Sequence, residues 1–82
     1  MAELIDLDQY ADAPSGLLGT MIHDGAVAAI TVRRSSPERQ RVFLAMARAF
    51  ADGHIYASWS AGEAEPHWGP IQVGRELEFD EA

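Results

Sequence analysis

The sequence contains no cysteine, no lysine and no long apolar run. The absence of cysteine excludes a disulfide framework and a thiolate metal site. The absence of lysine excludes a P-loop and a Schiff-base nucleophile. The longest apolar run, Gly25 to Val32, is far shorter than the roughly 20 residues of a membrane helix, and the acidic N-terminus does not resemble a signal peptide. We therefore expect a soluble, cytoplasmic protein without a membrane partner.

Positive charge is also scarce, because thirteen acidic residues face only six arginines and give a formal net charge of −7. Five of the six arginines lie between residues 33 and 48, whereas the acids concentrate towards both ends of the chain. Direct binding of nucleic acid needs a basic footprint, which this balance does not provide. An acidic surface suits a basic protein partner, including one that itself binds nucleic acid. Acidity that serves only solubility is the alternative.

The length of 82 residues predicts a single domain, residues 1–82, with one small core. Domains of this size bury a modest fraction of their surface and are only marginally stable alone. Association with a partner or with a second copy would therefore add usefully to stability.

The stretch from Ser35 to Gly53 predicts the only helix. Ser36 is a good N-cap, Pro37 suits the first helical position, and Gly53 can adopt the left-handed conformation that ends a helix. At 100° per residue one apolar stripe contains Phe43, Met46, Ala47 and Phe50, with Val42 and Ala49 on its flank and Arg41, Arg48 and Asp52 opposite. We expect this stripe to cover a sheet.

The residues before the helix predict a β-hairpin. Asp24-Gly25 is typical of a two-residue type I′ turn between strands Leu17–His23 and Ala26–Arg33. That turn would place Met21 opposite Ala28 and Gly19 opposite Ile30 on the face under the helix. The N-terminal segment, residues 4–7, is typical of an edge strand or an extended arm.

The residues after the helix alternate as strands do. Three segments follow one another: His54–Ser60, His67–Val73, where Pro70 indicates an edge or a bulge, and Arg75–Phe79. The fold class is therefore α+β, a mostly antiparallel sheet of four or five strands in ββαββ order with one helix packed on one face.

One helix covers one face of such a sheet, so the other face is expected to carry the function. It would expose Leu18, Ile22, Val27, Ala29, His54 and Tyr56, and an apolar patch on a small protein usually marks an interaction site. Trp68 is a second candidate anchor, or alternatively closes the end of the core. The candidate protein-binding residues are Leu18, Ile22, Val27, Tyr56 and Trp68, with Glu76, Glu78, Asp80 and Glu81 as an acidic rim.

The sequence predicts no catalytic, cofactor or metal site. Asp6, Asp8 and Asp12 lack the glycine and the terminal glutamate of a calcium loop. His54 and His67 begin neighbouring strands, and with a third ligand such as Glu63 or Glu65 they would form a zinc site. A small metal-dependent hydrolase using the two histidines is therefore the least favoured of three functions.

In size, acidity and layout the chain resembles small phage-encoded anti-CRISPR and other anti-defence proteins. The resemblance involves no motif, so it assigns no residues. It implies an inhibitor that acts by stoichiometric contact with a nucleic-acid-binding defence protein, in which the acidic ends compete with DNA for a basic groove. The alternative is a homodimeric structural or accessory domain that associates through its open sheet face. The function expected first is a non-enzymatic, protein-binding module.

Overall fold

A computed structural model describes residues 2–24 and 28–71. The elements are β1 (Ala2–Asp6), a 3₁₀ helix (Leu7–Gln9), β2 (Leu17–His23), β3 (Ala28–Val32), α1 (Arg39–Ala51), β4 (Tyr56–Ser60) and β5 (His67–Trp68). They form one helix and one mixed five-stranded sheet in the order β1-β3-β2-β4-β5. The α+β class is confirmed. The N-terminal segment, predicted as an edge strand or an extended arm, is the edge strand β1 and precedes the predicted order ββαββ. The predicted strand at residues 75–79 lies outside the described residues.

β1 is the one strand that pairs in parallel among the described residues. It lies beside β3, with Leu4 opposite Ile30 and Asp6 opposite Val32, and forms one edge of the described sheet. The 3₁₀ helix and the loop that follow it carry the chain past β3 to β2. The remaining strand pairs are antiparallel.

The predicted hairpin register is wrong by two residues. Met21 lies opposite Ile30 rather than Ala28, and the last pair of the ladder joins His23 to Ala28. A ladder that ends at His23 and Ala28 does not fit a two-residue turn at Asp24-Gly25; residues 25–27 lie outside the described residues. Because side chains alternate with a period of two, this shift leaves the same residues under the helix. Gly19, Met21, Ala28, Ile30 and Val32 are all buried, as the face assignment predicted. Leu17, predicted on the same face opposite Val32, is only half-buried and pairs with Ser60.

The prediction that Leu18 lies on the sheet face away from the helix is wrong, because Leu18 lies in the core. Opposite β4, Leu17 pairs with Ser60 and Gly19 pairs with Trp59, so Leu18 is an extra residue in β2. Such a bulge changes the direction of the local side chains. Leu18 is buried and packs in the main hydrophobic cluster.

Both ends of the helix are closed by hydrogen bonds. The hydroxyl of Ser36 accepts from the amide of Glu38 at 3.1 Å in the turn before the helix, but the N-cap residue is Glu38, so the prediction that Ser36 is the N-cap is wrong. Regular helix begins at Arg39, after a turn at residues 37–38, so the prediction that Pro37 is the first helical residue is wrong. At the other end the backbone amide of His54 donates to the carbonyl of Ala49. The backbone amide of Gly53, which has a φ of +89°, donates to the carbonyl of Phe50. This Schellman motif confirms the predicted role of Gly53.

The helical face that packs on the sheet differs from the predicted stripe. The fully buried residues of α1 are Val42, Met46 and Ala49, whereas Phe50 is only partly buried and Phe43 is exposed. The helix approaches β2 closely at Gly19, where an added Cβ atom would lie 2.5 Å from Cγ1 of Val42. A close approach favours small side chains at the centre of the contact, so the phenylalanines lie at its sides.

β4 contributes Ala57 and Trp59 to the core, as the alternation predicted. β5 is a regular strand only at His67–Trp68. Beyond it the amide of Gly69 donates to the carbonyl of Tyr56, the amide of Ile55 donates to the carbonyl of Pro70, and Ile71 forms a bridge with His54. At Gly69 an added Cβ would lie 2.8 Å from the carbonyl oxygen of Tyr56, so the close approach requires glycine. Of the strand predicted at His67–Val73, the described residues form only this short edge strand and the bridge at Ile71, and residues 72–73 lie outside the described part of the chain.

Candidate protein-interaction surface

The sheet face opposite the helix carries two rows of side chains. The register joins residues of neighbouring strands, and alternation places them on the face away from Met21 and Ala57. The first row is Glu3, Ala29, Ile22 and Tyr56. The second row is Ile5, Thr31, Thr20, Ser58 and His67. We call this surface the open face; its first row is mainly apolar and its second row consists largely of hydroxyl side chains.

Ile22 and Tyr56 form the apolar centre of the open face. They are directly opposite each other across the β2–β4 ladder, and 55% and 43% of their surfaces are exposed. Facing pairs on adjacent strands have their Cβ atoms close enough for contact. Ala29, which pairs with Ile22 from β3, extends the apolar row. A tyrosine beside an aliphatic residue, surrounded by hydroxyl groups, is typical of the anchor and rim of a binding surface.

The structure brings together only part of the predicted protein-binding set. Ile22 and Tyr56 are neighbours, whereas Leu18 belongs to the core. Val27 and the predicted acidic rim of Glu76, Glu78, Asp80 and Glu81 lie outside the described residues. The apolar part of the open face is therefore a narrower patch, centred on one cross-strand pair, than the predicted one.

Trp68 lies on β5, away from Ile22 and Tyr56. It pairs with Ala57, which places it on the helix side of the sheet, where it is 44% exposed. Its ring stacks on that of His54 with centroids 5.4 Å apart. Nδ1 of His54 lies 2.6 Å from the carbonyl oxygen of Gly69. Trp68 therefore does not close the core, and its stacking on His54 fixes the chain where it leaves the helix.

His67 and Glu63 form a separate cluster in the β4–β5 loop. Nε2 of His67 is 2.9 Å from Oε2 of Glu63, and the backbone amide of Ser60 donates to Oε1 of the same carboxylate at 2.9 Å. The amide hydrogen bond, followed by the contact with His67, lowers the pKa of Glu63. His54 contacts the Gly69 carbonyl instead, so the two histidines have different polar partners. Among residues 2–24 and 28–71, no three His, Asp or Glu side chains are grouped to hold a metal ion.

Asp8 forms a polar cluster that the sequence did not indicate. Its carboxylate accepts from the amide of Ser35 at 2.8 Å, from the hydroxyl of Ser35 at 3.1 Å and from Nη1 of Arg33 at 3.0 Å. The Ser35 amide is the largest cause of a lowered pKa of Asp8. Arg33 also donates to the carbonyls of Leu17 and Pro14. This cluster joins the 3₁₀ helix to the start of β2 and to the β3–α1 turn, and it has a structural role.

No family model, curated protein or solved structure matches the chain. Within the described part of the chain, the helix lacks the length and hydropathy needed to cross a bilayer.

Proposed function

We propose that the protein is a small, non-enzymatic binding module that acts by stoichiometric protein–protein contact through its open face. The observation that carries the proposal is the cross-strand pair of Ile22 and Tyr56, which is largely exposed at the centre of a sheet face without a helix. Exposed aromatic and aliphatic neighbours supply most of the affinity in many interfaces, and surrounding polar residues mainly exclude water. The hydroxyl row of Thr31, Thr20 and Ser58 fits that peripheral role.

The partner that we propose is a basic protein, in the first place one that binds nucleic acid. Support comes from the formal net charge of −7, which favours encounter with a positively charged surface. Inhibition would follow if the acidic protein occupied the surface to which the partner binds nucleic acid. A homodimer through the same open face is the alternative, and it predicts that the purified protein has twice the mass of one chain in solution.

Tyr56→Ala tests the proposal, with Tyr10→Ala as its matched control. The two tyrosines are similarly exposed, at 43% and 49%, but Tyr10 follows the 3₁₀ helix and does not lie on the open face. A photo-crosslinking residue at position 56 in the producing cell identifies the contacting protein, and a titration with that purified protein gives the affinity. We expect Tyr56→Ala to weaken binding by about 1–3 kcal/mol and Tyr10→Ala to leave it unchanged.

Sedimentation of the purified protein separates the two kinds of partner. A doubled mass that Tyr56→Ala reduces to the monomer would favour the homodimer. A protein that crosslinks equally well from positions 56 and 10 would contradict a binding role of the open face.

A further inference from the structure

A groove on the helix side of the sheet is separate from the open face. Its volume is about 590 Å³, and it lies between α1 and the edge strand β1. Among the described residues the helix packs mainly on β2, β3 and β4 and much less on β1. The groove is lined by Leu4, Ile5, Asp6, Gln9, Val32, Arg34, Arg39, Gln40 and Phe43. Leu4 and Phe43 face it as exposed apolar side chains, at 65% and 36% of their surfaces.

The groove concentrates positive charge on an acidic protein. Arg34 and Arg39 line it, and neither forms an ion pair with any residue in the described ranges. Arg39 donates one long hydrogen bond, of 3.5 Å, from Nη1 to the carbonyl of Ser36. The remaining arginines of these ranges have charged or aromatic partners: Arg33 with Asp8, Arg48 with Asp52, and Arg41 over the ring of Trp59. The one acid of the groove, Asp6, accepts a hydrogen bond from the amide of Asp8 at the start of the 3₁₀ helix. The groove therefore suits an anionic ligand that also carries apolar groups.

The groove also reaches the backbone of β1. Three consecutive residues of that strand, Leu4, Ile5 and Asp6, line it, although alternate side chains of a strand point to opposite faces. Among the described residues β1 pairs only with β3, so its other edge presents backbone donors and acceptors. An edge of this kind binds an extended peptide by adding a strand, and alternate side chains of the peptide then enter the neighbouring pockets.

We propose that this groove binds residues 75–81 of a second copy of the chain. Their sequence, R-E-L-E-F-D-E, alternates the apolar residues Leu77 and Phe79 with Glu76, Glu78 and Asp80. In an extended conformation Leu77, Phe79 and Glu81 share one side of the segment with Arg75, and Glu76, Glu78 and Asp80 lie on the other. Leu77 and Phe79 complement Leu4 and Phe43 in the groove, and Glu81, on the same side, complements Arg34 and Arg39. These residues lie outside the described part of the chain.

The distance across the sheet favours a second copy over the same chain. Ile71 pairs with His54 beside β5, at the edge of the sheet opposite to β1. Four strand spacings separate these edges by about 19 Å, and the helix occupies the direct path. The six residues from Ile71 to Leu77 span at most about 20–22 Å when fully extended. The reach of the chain barely exceeds the direct separation, so a detour around the helix disfavours insertion of Leu77 into the groove of its own chain and favours a second copy.

Two copies that each insert this segment into the other form a closed, symmetric dimer. Sedimentation of the full chain over a range of concentrations measures it. We expect Arg34→Gln with Arg39→Gln to weaken association by about tenfold or more, because charged hydrogen bonds are lost. Arg41→Gln with Arg48→Gln is the matched control, since it removes the same charge from the same region outside the groove. Rising ionic strength should also weaken the dimer.

A mixing experiment tests the reciprocal arrangement. One variant has the defective groove, Arg34→Gln with Arg39→Gln, and the other has a defective segment, Leu77→Ala with Phe79→Ala. Each alone should sediment as a monomer, and the equimolar mixture should form a one-to-one complex, because one intact groove meets one intact segment. Circular dichroism of each variant checks that the fold is retained.

Three results would overturn the groove contact. They are a full chain that stays monomeric at every concentration, an association that the groove variant leaves unchanged, and a mixture that does not associate. Tyr56→Ala should leave this dimer intact. A dimer that is lost in Tyr56→Ala and kept in the groove variant would assign self-association to the open face instead. Failure of the groove proposal is thus distinguishable from failure of the proposed function.

Discussion

At the scale of single residues, Asp8 shows that a pattern of neighbouring acids in the sequence does not reveal which tertiary contacts a carboxylate makes. The three aspartates among the first twelve residues superficially resemble a calcium loop. The structure instead joins Asp8 to Arg33 and Ser35, which are far from it in sequence. Nothing in local spacing indicates a partner 25 or 27 residues away. The buried neighbour Leu7 gives the physical reason, because the 3₁₀ helix packs against the body of the domain and carries Asp8 with it.

Asp8→Asn is expected to reduce the acid sensitivity of the fold. The pKa of Asp8 is lowered in the folded protein, so its contribution to stability is present above the unfolded pKa of about 4 and is lost as the pH falls through the lower, folded value. Wild type should therefore lose stability below about pH 4 more steeply than the variant, which should be less stable at neutral pH. Denaturant unfolding at several pH values measures this difference. Asp12→Asn is the control, and identical profiles for all three proteins would contradict the role of Asp8.

Gly19→Ala is expected to destabilise the fold through a single methyl group. The added Cβ would lie 2.5 Å from Cγ1 of Val42, so helix and sheet must separate. Overpacking of this kind typically costs about 1–3 kcal/mol. Gly16→Ala is a matched control because a Cβ added there would have no atom within 4 Å. Thermal unfolding compares the two, and Val42→Ala should restore part of the loss in Gly19→Ala. Equal stability of the two glycine variants would mean that the helix does not approach β2 this closely.

At the scale of elements, the buried face of α1 predicts which substitutions destabilise the fold, and these differ from the ones that the sequence pattern suggests. The side chain of Met46 is completely buried between the helix and the sheet, whereas that of Leu44 is 60% exposed. Met46→Ala should lower the free energy of unfolding by about 2–5 kcal/mol, a large part of the stability of so small a domain. Leu44→Ala should remain within about 0.5 kcal/mol of wild type. Chemical denaturation measures both. A larger loss for Leu44→Ala would show that the helix is rotated about its axis.

Sequence patterns predicted the types and approximate positions of most elements, because apolar periodicity and capping residues are local signals. They did not predict the phase of the helix or the hairpin register. A helical wheel favours the largest apolar residues, Phe43 and Phe50, whereas the contact is centred on Val42 because Gly19 lets the helix approach. The register is ambiguous for a similar reason, since a shift by two residues keeps the same face buried. The Leu18 bulge is likewise set by the pairing with β4, a contact that local sequence does not encode.

At the scale of the whole molecule, the two proposed surfaces lie on opposite sides of the sheet and differ in chemistry. The open face has an apolar centre and hydroxyl neighbours, and the groove combines apolar side chains with two arginines. Their separation means that changes on one surface should combine additively with changes on the other. Tyr56→Ala and the groove variant should therefore each affect only one of the two associations, and the combined variant should show both effects in full.

Neutralising Glu76, Glu78, Asp80 and Glu81 together is the change that affects both proposals, in different ways. For a basic partner these acids are peripheral, so their loss should slow association and flatten its salt dependence while dissociation changes little. For the groove Glu81 is a direct ligand, so its loss should weaken the dimer at any salt concentration. Stopped-flow association with the partner and sedimentation of the protein alone give the two readouts. Neutralising Asp12, Glu38, Asp52 and Glu65 removes the same number of acids and serves as the control. The control should also slow partner association, because net charge contributes to steering, but it should leave the dimer intact. If the control weakens the dimer as much as the test variant does, the acids act only through net charge, and the specific groove contact is wrong.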